Sequence, residues 1–266
     1  MANRLDHAFT GGKKLLCPFL TAGYPTLAVT PALLLAAQQG GGGVIELGIP
    51  FSDPVADGPV VQASYTHALA GGTTVKGSLE SVAIARKQGL TIPVVAMVSF
   101  SIIFRRGTKD FAAMCAASGI DGIILPDVPL EEAPAIAAVL KEHGLRTCLL
   151  IAPTTPAPRR EAIAKLCDGF IYYLSVSGIT GERKALPVDI GPNVAALRNV
   201  TKAPICVGFG ISTAEQVGQV TKTVGADGAI VGSALIRRIT EHLKEAQPLQ
   251  VDAVRSFVAE LAKGLA

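Results

Sequence analysis

The chain has 266 residues, among them 24 Lys and Arg against 21 Asp and Glu, four His, 28 Gly, 17 Pro, five Cys and no Trp. Apolar residues make up 49% and charged residues 17%, a balance that excludes an intrinsically disordered chain and leaves material for a large core. The formal charge of +3 is scattered rather than gathered in a block, so no nucleic-acid or polybasic membrane surface is expected, and any bound anion should be small.

In chain order, residues 1–16 carry charges but no apolar core ahead of a small-residue cleavage site, so they do not read as a signal peptide, and a cytoplasmic location is expected. A first strand is predicted over 15–20, then a helix over 30–39 and a second strand over 44–47. Two helical patterns, 58–70 and 75–88, precede a third strand over 94–98, which implies one extra helix in that connection. Residues 92–104, IPVVAMVSFSIIF, are the most apolar stretch, yet they fall short of the ~18–20 residues a span needs and contain Pro93, Ser99 and Ser101. They are expected to be a buried strand and its exit. Then follow a helix over 108–118, a strand over 122–125, a helix over 130–143, a strand over 147–151, a helix over 159–166 and a strand over 170–174. The remainder reads as a helix over 194–200, a strand over 205–207, a helix over 213–224, a strand over 229–231 and a last helix over 252–262.

Strands that alternate with helices pair in parallel through right-handed crossovers, and parallel strands are buried on both faces. That accounts for a mean hydropathy of +0.43 without a membrane. Eight such units suit one (β/α)8 barrel of the α/β class, a TIM barrel with extra helices over 1–266, better than an open doubly wound sheet, whose first strand would run into a GxGxxG turn. Cys17, Cys115, Cys148, Cys167 and Cys206 are odd in number, form no CxxC and stand among apolar residues, so they read as reduced core residues. His7, His67, His143 and His242 show no metal spacing, and no metal is expected. No Ser or Cys stands in a nucleophile elbow, so covalent acyl chemistry has no support.

A barrel of this kind builds its site from the loops at the carboxyl ends of its strands. Glu46 lies within an apolar strand, where an unpaired carboxylate is costly. It either points outward to a Lys or Arg on a covering helix or serves as a catalytic acid or base. Asp57 follows after a loop long enough to fold back over the strand end, and two carboxyls at one ligand allow proton donation and uptake; Asp57-Gly58-Pro59 also reads as an ordinary turn. Late in the chain, Gly178-Ile179-Thr180-Gly181, Gly208-Phe209-Gly210 and Gly232-Ser233 follow three successive strands. Glycines admit a ligand close to the backbone and helix starts attract anions, so a phosphate-carrying substrate is expected there.

At these residues the chain resembles the tryptophan synthase α subunit, from about Arg4 to the last helix. The resemblance is carried by Pro18-Phe19-Leu20-Thr21-Ala22-Gly23-Tyr24-Pro25, by Glu46-Leu47-Gly48-Ile49-Pro50-Phe51-Ser52-Asp53-Pro54 and by Ala56-Asp57-Gly58-Pro59. It implies a (β/α)8 barrel that cleaves indole-3-glycerol phosphate into indole and glyceraldehyde 3-phosphate, without a cofactor, as one part of an α2β2 heterotetramer whose β subunit carries pyridoxal phosphate. By motif, Glu46 takes the proton-transfer role at indole C3 and the glycerol hydroxyl, and Asp57 holds the indole N–H. Tyr172, Phe19 and Thr21 match wall and loop positions of the substrate pocket. Gly181, Gly208, Gly210, Gly232 and Ser233 match the phosphate cradle, and residues 178–186 the closing loop, with Thr180 touching the aspartate.

The chain departs from the family in two places. Ser99-Phe100-Ser101-Ile102 stands where a Tyr-x-Asn-Pro element is usual, replacing an aromatic pocket wall and an Asn that contacts the partner. Gly40-Gly41-Gly42-Gly43 replaces the commoner Gly-Ala-Asp. Asp53-Pro54 and Asp127, within Pro126-Asp127-Val128-Pro129, do match. Three other readings stay open at this point: an indole-releasing lyase independent of a β subunit, a weakly active regulatory partner of that subunit, and a phosphosugar isomerase on the same barrel.

Overall fold

The computed structural model describes residues 3–54, 57–174, 189–208 and 210–266. Eight parallel strands close into a barrel in chain order: β1 (Leu15–Thr21), β2 (Ile45–Gly48), β3 (Val94–Met97), β4 (Gly122–Leu125), β5 (Arg146–Ile151), β6 (Ile171–Leu174), β7 (Ile205–Gly208) and β8 (Gly228–Val231). The first and last strands pair, with Cys17 beside Ile230 and Pro18 beside Val231. Around them lie α1 (Arg4–Ala8), α2 (Thr30–Gln39), α3 (Pro59–Ala70), α4 (Val75–Lys87), α5 (Phe100–Arg106) and α6 (Thr108–Ser118), followed by α7 (Ala133–Glu142), α8 (Ala157–Leu166), α9 (Ile190–Arg198), α10 (Ala214–Gly218), α11 (Ser233–Glu241) and α12 (Gln247–Ala262).

The eight strands agree with the expected runs to within one residue at each end, because short, almost wholly buried apolar segments bounded by turn residues leave little choice of register. Two helices sit in the β2–β3 connection, as the pattern required. Helix ends follow their signals. Thr74 caps α4 by accepting the Gly77 N–H, Thr213 and Gln216 form a capping box on α10, and Gly119 ends α6 at φ +84, a left-handed conformation that glycine adopts without strain.

Three helices were not anticipated, and α10 gives way to a widened, π-type turn over Gln219–Thr223. α1 is a five-residue segment that Asn3 caps through the Leu5 N–H. α11 begins at a Gly-Ser pair that reads as a ligand loop. α5 corrects the reading of 92–104 as strand and exit. The strand stops at Met97, and the chain turns at Ser99, whose hydroxyl accepts the Ser101 N–H while Asp127 accepts the Phe100 N–H, so the exit is helical. Among the described residues no helix is long and apolar enough to cross a membrane.

The two barrel ends differ in character. Asp121, just before β4 and 3% exposed, accepts from Arg4 Nη1 at 3.0 Å, from Arg86 Nη2 at 2.7 Å and from the Val94 N–H at 2.8 Å, tying α1, α4 and β3 together at the amino end. The tetraglycine after α2 is a packing device. A Cβ at Gly40 would lie 2.6 Å from the Arg255 carbonyl of α12, and one at Gly43 would lie 2.7 Å from Leu15 of β1. The carboxyl end is left to the loops.

Candidate active site

Glu46 is the second residue of β2, beside Phe19 of β1 and Val95 of β3. Its carboxyl interacts electrostatically with Asp57, Tyr65 and Tyr172. It is 2% exposed, and its Oε2 has no hydrogen-bond partner among the described residues. The outward-pointing arrangement is therefore not the one found. Burial, reinforced by the Asp57 charge, pushes the Glu46 carboxyl up to about 8, so it keeps its proton at neutral pH.

Asp57 stands ahead of α3, and that helix holds it in place: Gln62 Nε2 donates to the Asp57 carbonyl at 2.7 Å. Burial, followed by the Asp127 charge, raises the Asp57 carboxyl to about 6. At pH 7 it is mostly ionised. Two neighbouring carboxyls thus carry opposite protonation states, the arrangement that separates an acid from an anion within one pocket. Asp127 is itself fixed by the Ser99 hydroxyl at 2.7 Å and the Phe100 N–H at 2.8 Å, both from the start of α5. Asp57, Tyr65, Met97, Ser99, Pro126 and Asp127 line one small cleft.

Tyr172, second in β6, lies against β7, where a Cβ on Gly208 would come to 2.9 Å from its hydroxyl. Burial, followed by the Glu46 and Asp57 carboxyl groups, holds its phenol well above the usual range. Phe19 packs between the strand ends: a Cβ on Gly48 would come to 2.6 Å from its ring, and one on Gly232 to 3.9 Å from its Cβ. Thr21 shares a 2.6 Å hydrogen bond with Ser64 of α3, so its hydroxyl anchors that helix. Gly210 adopts φ +83, and Ser233 opens α11, whose first turn has no side-chain cap. Thr180, Gly181 and the rest of 178–186 lie outside the described residues. The structure therefore gathers Glu46, Asp57, Tyr172 and Phe19, with Gly208 and Gly232 beside them. Tyr65 was missed from sequence, since an aromatic at one helical position reads as core; only its inward phase on α3 could have shown it.

The tryptophan synthase alpha chain family matches residues 5–265. The chain belongs to that family. It is 44% identical over 239 residues to the tryptophan synthase alpha chain of a Synechococcus strain, covering 90% of this chain and 88% of that one, and 42% identical over 250 residues to that of Rhodopirellula baltica, covering 93% and 89%. Its fold matches a Mycobacterium tuberculosis tryptophan synthase structure with a TM-score of 0.87 at 32% identity, covering 100% and 99% of the two chains. It matches a chain of the Pyrococcus furiosus tryptophan synthase complex with a TM-score of 0.84 at 34% identity, covering 93% and 97%. As a family member the chain is a carbon–carbon lyase that cleaves indole-3-glycerol phosphate in tryptophan biosynthesis.

Proposed function

We propose that Glu46 and Asp57 carry out the proton chemistry of this cleavage. Glu46, protonated at neutral pH, gives its proton to indole C3, and the ring becomes an electron-poor, iminium-like leaving group. Asp57, ionised, accepts a hydrogen bond from the indole N–H and stabilises the positive charge that develops there. The Glu46 carboxylate then takes the proton of the glycerol hydroxyl next to C3. The C–C electron pair returns to the ring, indole leaves and the aldehyde of glyceraldehyde 3-phosphate forms, with Glu46 protonated as it began. Tyr172 and Phe19 supply pocket walls. Gly208, Gly210, Gly232 and the uncapped start of α11 at Ser233 suit the phosphate, since helix-terminal amides attract anions. Thr180 and Gly181 belong to this reading through the motif alone.

The observation that carries the reading is the buried, unpaired Glu46 carboxyl interacting electrostatically with Asp57. Indole release from indole-3-glycerol phosphate by Glu46→Gln tests it: loss of turnover with an intact fold is expected, and a variant at the wild-type rate would falsify it. The partner in this reading is a tryptophan synthase β subunit. α5 offers it a surface, with Phe104 77% exposed and stacked at a tilt 6.0 Å from Phe100. Adding β subunit should stimulate indole release strongly; an unchanged rate would favour the independent lyase. Five buried free thiols fit a reducing compartment, and we place the protein in the cytoplasm.

A further inference from the structure

α3 carries one aromatic side chain into the cleft that the reaction scheme leaves unused. Tyr65 is 3% exposed, and its hydroxyl ends over Gly48, two residues beyond Glu46 on the same face of β2. A Cβ on Gly48 would come to 2.5 Å from that hydroxyl and 2.6 Å from the Phe19 ring, so the missing side chain at 48 admits both rings. Two bonds just ahead of Tyr65 fix the helix. Ser64 bonds Thr21 of β1 at 2.6 Å, and Gln62 holds the Asp57 carbonyl at 2.7 Å. Tyr65 is thus a rigidly placed group, the kind from which a specific site is built. Asp57, Glu46 and Tyr172 all act electrostatically on its phenol.

The same cleft is lined by Ser99, a small side chain whose hydroxyl is turned away to Asp127 at 2.7 Å. A serine at that position takes up little of the cleft that the Tyr65 ring also lines. A pocket for a planar ring needs both a wall and a matching space, and packed interiors tolerate little change in their sum.

We propose that Tyr65 and Ser99 form a large–small pair that shapes the pocket for the indole ring, Tyr65 giving the aromatic face from α3 and Ser99 the space the ring fills. The inference rests on the lyase reading above and adds a specificity determinant to it. Steady-state indole release is measured for wild type, Tyr65→Phe, Tyr65→Ser, Ser99→Tyr and the Tyr65→Ser/Ser99→Tyr double variant, with a thermal melt of each. Tyr65→Phe should keep the wild-type KM within about threefold. Tyr65→Ser should raise KM about tenfold or more, with a smaller change in kcat, since the loss is of ring contact. Ser99→Tyr alone should be impaired as well, two large groups competing for one space, and the double variant should return to within about threefold of wild type. A double variant whose loss is the product of the two single losses overturns the pairing, as does a wild-type KM in Tyr65→Ser. Where Tyr65→Ser melts below the assay temperature, Tyr65→Leu, which keeps apolar packing over Gly48, takes its place in the same comparison. A merely structural Tyr65 would lower the melting temperature and gain nothing from Ser99→Tyr. Wild-type protein without indole release would instead sink the lyase reading, so the two failures are told apart.

Discussion

Glu46 is kept neutral by its surroundings, and that has consequences for both rate and stability. With Glu46 active when protonated and Asp57 active when ionised, kcat/KM should follow a bell. It falls below about 6 as Asp57 gains a proton and above about 8 as Glu46 loses one, the limbs being properties of the coupled pair. A pH–rate profile that stays flat from 5 to 9 would sink the assignment. The folded Glu46 carboxyl holds its proton where the unfolded chain, with an ordinary value of 4.5, has released it. Between those values the native state binds more protons, so this residue makes stability fall as pH rises, by at most roughly 1.4 kcal/mol per unit, with the full loss reached above about 8. Glu46→Gln removes that dependence. It should cut turnover by about 10²-fold or more while raising the melting temperature at pH 7.5 more than at pH 5, which paired melts will show. The chemistry of Glu46 was legible in sequence because a carboxylate in an apolar strand demands a reason. Tyr65 was not, because a tyrosine in an apolar helix face demands none, and only the missing side chain at Gly48 reveals where its hydroxyl goes.

Helix α5 couples two strand ends through Asp127. Its first turn supplies the Phe100 N–H and the Ser99 hydroxyl to that carboxylate, whose charge in turn raises Asp57. Asp127→Asn keeps an acceptor oxygen for the helix start and removes the charge, so Asp57 should titrate lower and the acid limb of the pH–rate profile should move to lower pH. An acid limb that stays in place would show that Asp127 does not tune Asp57. The strands were readable because β-branched and Leu-rich runs between turn residues admit one structure when buried on both sides. α5 was hidden by its own apolarity: Phe100, Ile102, Ile103 and Phe104 prolong the run of β3, and the turn that separates them depends on a carboxylate from the next strand end, 28 residues from Ser99. α11 was hidden by a glycine and a serine that serve a loop and a helix start at once.

Taken as a whole, the molecule separates a bound amino end from a working carboxyl end. Asp121 joins Arg4, Arg86 and the Val94 amide, and Arg86 is only 10% exposed. Asp121→Ala leaves the buried Arg86 guanidinium its backbone carbonyl acceptors but removes its paired carboxylate, and should cost about 3 kcal/mol of stability with KM for indole-3-glycerol phosphate unchanged, as a denaturant titration alongside kinetics will show. A loss confined to activity would contradict this division. The pairing of β1 with β8 sets a further condition. During synthesis the earliest strand leaves the ribosome with one edge open, and its neighbour on that side, residues 228–231, emerges more than two hundred residues later. Until then the nascent chain must keep an apolar ribbon from pairing with other molecules. A fragment ending at 227 should therefore associate in solution where the whole chain does not, and light scattering of the two at equal concentration would reveal it.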